Sequence, residues 1–502
     1  MKLRFARNAI LNFAGGAIPA LATLATIPFI VRGLGDAGYG LFTLITAIVG
    51  YFALLDINVT AGSVKYLAEY SAQGDHSKRD QTVSFGLITY LCIGFAGAVA
   101  IFLSTDALIE RIFSVPAELR AIARTSLQVA ALGFLFGQLQ TYLQSVPQAL
   151  LRYDITSKFE VAFGLALPLI SVFILMAGYG LVELIVFRVI ASGVNCLFLW
   201  RSIGHLMPDL SLIAPGRQIM GKLAEFSAYS FLNRVAAVTY VHADKLVIGA
   251  LLGVKELAYY TVAATIGQRV LGLTFRVSAV MFPIASVLDA RGEHSRLEEL
   301  YIKISRYVVY INGAALILIA VFAEPILHYW IGKEFALQGA AVLQLIAIAQ
   351  FVDSLTNVPS LVNDGMGHPR VSGLFAVTRA FFGLAVVYWF VGAQGIIGAG
   401  WAHLAVALIM TVGFFAYVHE RTVPCNIWLV LSRGYRRPFF SLVAVAVAAV
   451  TFQTTLGAGF INLLAGSIMS SILLSVAGYF WILFPDDRKR IGDQFRRFTE
   501  RR

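Results

Sequence analysis

Charge is what this sequence has least of. Asp, Glu, Lys and Arg make up 13% of its 502 residues, hydrophobic residues make up 58%, and the mean hydropathy is +0.77. A soluble chain of this length needs a charged exterior to stay dissolved, so the composition argues against a soluble globular protein. Cysteine is almost absent. Cys92, Cys196 and Cys425 lie far apart with no CxxC pair, which argues against disulfides and zinc. There is no GxxxxGK[ST] sequence, so the chain does not hydrolyse ATP by that route. Long polar segments are missing too. The longest loops, about 201–223 and 419–437, are short and mainly basic, and leave little room for an extramembrane catalytic domain.

Apolar runs take the place of these features. They recur from end to end, each about 20 residues long and able to cross about 30 Å of hydrocarbon. Backbone polar groups in lipid must be paired, so the runs are helices or barrel strands. Barrel strands would be about 10 residues long and alternate apolar with polar. These runs do neither, and an all-α integral membrane protein follows. We place about fourteen transmembrane helices at roughly 9–31, 39–60, 82–104, 122–146, 156–177, 180–200, 224–251, 257–285, 304–322, 337–362, 371–391, 395–418, 438–457 and 460–484. Tight turns join some of them, at Ala177-Gly-Tyr-Gly180 and Gly392-Ala-Gln-Gly395. The start, Met1-Lys-Leu-Arg-Phe-Ala-Arg7, resembles a signal peptide. The run after it is too long for one and contains Pro19 and Pro28, so it reads as a retained first span.

The charges that exist are unevenly placed. Fourteen spans put both termini on one side, and, with the first three residues of each span counted with the adjoining loop, 27 Lys/Arg fall on that side against 6 on the other, with 6 deeper inside spans. The positive-inside rule then makes both termini cytoplasmic in a bacterial plasma (inner) membrane protein. The net charge of +11 is therefore no sign of nucleic acid, because most of the excess has this other use. The basic tail at 486–502 could lie against anionic membrane lipids or stay solvated.

Self-comparison shows an internal repeat. Residues 72–79 read AQGDHSKR and residues 290–297 read ARGEHSRL, an offset of 218. The same offset pairs Leu34-Gly35 with Leu252-Gly253. The period holds six spans, an even number, so the two repeats run parallel. The expected lobes are 1–202 and 203–419, followed by two C-terminal helices in 420–485. Two six-helix lobes with a cavity between them suit alternating access.

An ionisable side chain at bilayer depth costs at least about 2.5–3.5 kcal/mol and needs a wet cavity or a partner. Arg234 and Lys245 lie on one face of the seventh span, and Arg269 and Arg276 on one face of the eighth. Arg188 in the sixth span and Arg379 in the eleventh are further candidates. The acids at this depth are Asp56, Glu160, Glu183, Asp244 and Asp353. Two readings stand. In one, the charges form structural pairs, such as Glu183 with Arg188, or Asp244 or Glu225 with a basic neighbour. In the other, the surplus cations bind an anionic substrate, because a guanidinium fork suits phosphate oxygens. One or two acids, with Asp56 and Asp244 the candidates, would then carry a coupling H+ or Na+. No metal or other cofactor is expected. Asn12, Asn233 and His242 read as helix-contact residues more readily than as ligands. Pro19, Pro28, Pro283 and Pro359 each remove a helix hydrogen bond and mark hinges or static kinks.

Asn12, the stretch Ile27-Pro-Phe-Ile-Val-Arg-Gly-Leu-Gly-Asp-Ala-Gly-Tyr-Gly40, then Asp244-Lys-Leu-Val-Ile-Gly249, Ala258-Tyr-Tyr260 and Phe282-Pro283 resemble a known family. It is that of the polysaccharide/O-antigen-type lipid-linked oligosaccharide flippases, in the multidrug/oligosaccharidyl-lipid/polysaccharide (MOP) exporter superfamily. The likeness covers almost the whole chain. It implies two six-helix lobes around a cationic cavity. It also implies export of an undecaprenyl-pyrophosphate-linked oligosaccharide to the outer leaflet, coupled to a proton or sodium gradient, with polysaccharide polymerase machinery as a further partner. Three alternatives remain at this point: a lipid II-type flippase, a multidrug cation antiporter, and a membrane-embedded glycan-processing enzyme. The antiporter predicts twelve spans and an acidic cavity. The enzyme would need acidic or metal-binding motifs in a sizeable loop.

Overall fold

Apolar runs of this kind satisfy their backbone internally, and the chain is helical almost throughout. The computed structural model describes the backbone of residues 2–457, 459–490 and 493, and their side chains except at 2–17, 224–226, 228–230, 271, 273–277 and 456. The order is α1 (Lys2–Tyr51), α2 (Val59–Gln73), α3 (His76–Ala107), α4 (Ala117–Ala149), α5 (Tyr153–Met176), α6 (Leu181–Leu206), α7 (Arg217–Leu251) and α8 (Val254–Ser278). There follow α9 (Met281–Ala290), α10 (His294–Val321), α11 (Ala323–Trp330), α12 (Lys333–Ser354), α13 (Asn357–Gly365) and α14 (Pro369–Arg421). The chain ends in α15 (Ile427–Leu429), α16 (Arg436–Leu456) and α17 (Phe460–Ala477). No strand occurs among the described residues. Ten helices among the described residues are long and apolar enough to cross a membrane. Two of these contain a sharp kink: α1 at Gly35 (φ 70°) and α14 at Gly395 (φ 63°). The expected turn at 392–395 is thus no loop but helix on both sides of one bent residue.

Two expected spans are broken where proline requires it. A proline ring collides with the carbonyl four residues back. Pro283 points back to Ala279, and α8 ends at Ser278 with α9 starting at Met281. Pro359 points back to Leu355, and α12 ends at Ser354 with α13 starting at Asn357. Pro19 and Pro28 sit inside a continuous α1. The seventh helix also begins earlier than expected, at Arg217 rather than near 224.

Contacts divide the chain into two units, 1–261 with 376–396, and 262–375 with 397–502. In the first unit, α3 lies along α4 through glycines that leave no room for a side chain. A Cβ on Gly86 would sit 2.0 Å from the Tyr142 ring, and one on Gly97 would sit 2.1 Å from the Phe134 ring. Close backbone approach of this kind, more than apolar burial, holds helices together in lipid. The core here gathers Val59, Leu67, Tyr90, Tyr142 and Leu199. In the second unit, Met281, Leu297, Tyr301, Val362 and Phe415 share another core. Left-handed glycines recur at the spacing of the sequence repeat. Gly74 (φ 69°) and Gly292 (φ 68°) each stand two residues before a helix, α3 and α10. Gly35 and Gly253 (φ 102°) also share a positive φ.

Candidate functional site

Four of the six cations expected in the spans belong to the first unit, together with both candidate acids. Asp56 follows a 3-10 turn, Phe52–Leu55, that ends α1. The chain then passes through Asn58 in the left-handed region (φ 58°) before α2 begins. That bend turns the Asn58 N–H onto Asp56 Oδ1 at 2.8 Å, and the Tyr90 hydroxyl of α3 donates to the same oxygen at 2.7 Å. The carboxylate is almost wholly buried. Its second oxygen faces Arg234 of α7, with Nη2 at 3.4 Å from Oδ2. This exceeds the 2.7–2.9 Å of a strong charge-assisted hydrogen bond. Two neutral donors hold Asp56, while Arg234 stands back from it. The Arg234 side chain is 35% exposed, and its Nε has no hydrogen-bond partner.

Asp244 is a second buried acid, on α7. The Tyr260 hydroxyl of α8 donates to one oxygen, and the backbone N–H of Lys245 reaches the other at 2.7 Å. The Lys245 ammonium lies 3.7 Å from that oxygen and donates back to the Val241 carbonyl at 2.5 Å. Lys245 is thus tied into its own helix. Two further arginines meet aromatic faces. Arg188 lies over the Phe42 ring at 5.2 Å, and Arg379 over the Tyr240 ring at 5.2 Å. Such contacts favour a cation without neutralising it.

The expected pairing of Glu183 with Arg188 is not made. The Glu183 carboxylate instead accepts the Gly180 N–H at 3.0 Å and caps the start of α6, where a negative charge meets unpaired N–H groups. No carboxylate pairs with Arg188 among the described residues. The Asp244–Lys245 pair does form, as the structural reading expects. Arg269 lies in the second unit and is exposed, and Asp353 is buried there. The side chains of Asn12, Glu225 and Arg276 lie outside the described residues. His242 packs on Gly50, where a Cβ would sit 2.3 Å from its ring. The partners that the sequence did not reveal are Tyr90, Tyr260, Phe42, Tyr240 and Asn58. Aromatic residues make up 13% of the chain, and nothing in their spacing singles these out. Among the described residues there is no group of three His, Cys, Asp or Glu suited to a metal.

Comparison with known proteins sets this arrangement in a family. Residues 29–339 match the polysaccharide biosynthesis protein family. A Shigella flexneri protein named as an O-antigen transporter is 20% identical over 397 residues, covering 78% of this chain and 92% of the relative. Among solved structures, a lipid II flippase in an inward closed conformation superposes with a TM-score of 0.74 at 13% identity, covering 94% of this chain and 98% of that one. An inward-facing multidrug transporter of the MOP superfamily gives 0.70 at 16% identity, covering 84% and 99%. These likenesses carry the fold, and the family match covers more than half of the chain. The chain therefore belongs to the polysaccharide biosynthesis protein family, as a multi-pass helical protein with the fold seen in MOP superfamily transporters.

Proposed function

We propose that this protein is a flippase that carries undecaprenyl-pyrophosphate-linked oligosaccharide repeat units from the cytoplasmic to the outer leaflet of the bacterial inner membrane. The observation behind this reading is two arginines at membrane depth, Arg188 and Arg234, without a closely bonded carboxylate among the described residues, in a chain of the polysaccharide biosynthesis protein family. In the first unit Arg188 pairs with no acid among the described residues, and Arg234 stands 3.4 Å from Asp56 with its Nε unpartnered. A pyrophosphate is the substrate group that would repay keeping guanidiniums in the spans. Arg269 and Arg276 would extend the same site. Coupling to H+ or Na+ would run through Asp56, whose charge is set against a cation that the substrate also needs, or through Asp244. In this reading the chain crosses the membrane fourteen times, with α1 and α14 each crossing twice. Both termini are cytoplasmic, and the two parallel six-helix lobes are followed by α16 and α17. The paired glycines 74/292 and 35/253 support the repeat. Delivery to a polymerase on the outer face would follow.

The fold likeness to a lipid II flippase favours one second reading, a pyrophosphate-linked peptidoglycan precursor as cargo. Deleting the gene from a strain without a redundant flippase separates the two. The glycan reading expects lipid-linked oligosaccharide to accumulate on the cytoplasmic face and surface glycan to disappear, with growth retained. Normal surface glycan would overturn it. Lysis with intact glycan would favour the second cargo.

A further inference from the structure

The second unit holds a cavity that the transport reading does not use. It measures about 550 Å³ and lies between α10, α12, the C-terminal part of α14 and the stretch from Ile427 into α16. Its wall is mainly apolar and includes Val309, Phe351, Val412, Phe415, Leu431 and Phe439. The polar atoms in that wall are already engaged. The Tyr435 hydroxyl donates to the Leu355 carbonyl at 3.1 Å, and the Thr411 hydroxyl to the Val352 carbonyl at 3.3 Å. What remains facing the space is hydrocarbon, with one ion among the lining side chains, Arg436.

Arg436 does not stand alone. Arg433 and Arg437 lie within one helical turn of it, all three are exposed, and no acid pairs with any of them among the described residues. Nearby Arg306 is already used: its Nε donates to the Arg433 carbonyl at 2.9 Å and its guanidinium lies over the Phe484 ring at 4.1 Å. Lys303 is held by Asp487 at 2.7 Å. The three exposed arginines thus form an unneutralised cationic rim on an apolar cavity.

We infer that this cavity holds an acyl chain of one anionic phospholipid, with its phosphate bound by Arg436 and flanked by Arg433 and Arg437. The charge at the rim selects an anionic headgroup, and basic pockets between membrane helices on the cytoplasmic side bind such headgroups. The volume lies within the range of about 300–1,000 Å³ that suits a drug-sized ligand. It accommodates an acyl chain of a bilayer lipid, and occupancy by the cargo's polyprenyl tail is the alternative that the test separates. The inference stands apart from the choice of glycan, since it uses none of the first unit's cations.

Native mass spectrometry of the full-length protein in detergent tests it, with phosphatidylglycerol, phosphatidylcholine and undecaprenyl phosphate added singly and in competition. One phosphatidylglycerol should be retained in preference to phosphatidylcholine. Combining Arg433→Gln, Arg436→Gln and Arg437→Gln should weaken its binding about fivefold per charge removed and erase the preference. Val412→Trp, at an exposed position in the wall, should lower retention while the charges stay in place. Equal retention of the two phospholipids by the unaltered protein would overturn the inference, as would unchanged retention by both variants. Displacement of phosphatidylglycerol by an equal concentration of undecaprenyl phosphate would also overturn it and assign the cavity to the cargo lipid.

Discussion

Asp56 keeps its place through two donors that carry no charge, the Asn58 N–H and the Tyr90 hydroxyl. The carboxylate can therefore lose Arg234 without losing its position, and Arg234 can turn to another anion. A phosphate competing for that guanidinium would leave Asp56 as a buried, uncompensated charge, which favours uptake of a cation. Arg234→Ala should reduce flipping in proteoliposomes by roughly 10- to 100-fold, the range for losing a charged hydrogen bond. Arg234→Lys should restore part of it, since lysine keeps the charge and loses the fork. Asp56→Asn should abolish gradient-driven accumulation while leaving passive equilibration, which a fluorescent lipid-linked substrate would read out. If accumulation survives in Asp56→Asn, the coupling role falls to another residue. The acids and bases were legible in the sequence because charge in an apolar run stands out. Their aromatic partners were not, because Phe42 and Tyr240 are two among many aromatics until the helices bring them together.

At the scale of the element, glycines and prolines decide more than hydropathy does. Gly40 of α1 meets the start of α8, where a Cβ would sit 1.7 Å from the Val254 carbonyl oxygen. Backbone cannot yield as a side chain can, so Gly40→Ala should cost about 1–3 kcal/mol and lower the apparent melting temperature in detergent. Gly221→Ala, on α7 with open space around it, should leave that temperature unchanged or raise it slightly. The breaks at 279–280 and 355–356 were foreshadowed by Pro283 and Pro359. The kinks at Gly35 and Gly395 could not be told from tight turns, because either conformation uses glycine at positive φ. One connection is fixed by charge. The segment after α6 is tied to α3 where Arg79 pairs with Asp209 at 3.2 Å and Asp80 accepts the Ser211 N–H at 3.0 Å. The hydrogen bond from Arg79 holds the Asp209 carboxyl below the usual carboxylate range. A depressed folded pKa means the contact is intact at neutral pH and is lost as pH falls through that lowered value, below about 3.9. Hydrogen exchange in residues 207–216 should rise on that acidification, and Asp209→Asn should remove the step.

For the whole molecule, the positive-inside reading makes a sharp topological claim. In a chain freed of Cys92, Cys196 and Cys425, a single cysteine at Ser77 or Ser295 should react with an impermeant maleimide only after the cells are opened. One at Glu118 or Glu334 should react from outside. Reversal of either pair would break the fourteen-crossing count. The membrane class and the family were readable because both are written locally, in apolar runs and short motifs. How the contacts group the helices was not, since that depends on pairings between distant segments. One helix has a consequence for how the protein is made. α7 carries Arg234, Asp244 and Lys245 through its apolar stretch, and each charge opposes entry into lipid by about 2.5–3.5 kcal/mol. Asp56, which faces Arg234, follows α1, the Tyr90 hydroxyl that holds Asp56 lies on α3, and the Tyr260 hydroxyl that meets Asp244 lies on α8. During synthesis α1 and α3 are already in the bilayer when α7 emerges, but α8 is not. In the fourteen-crossing reading, insertion of α7 is then expected to wait at the translocon for the helix that follows it, so that the two enter the membrane as a hairpin.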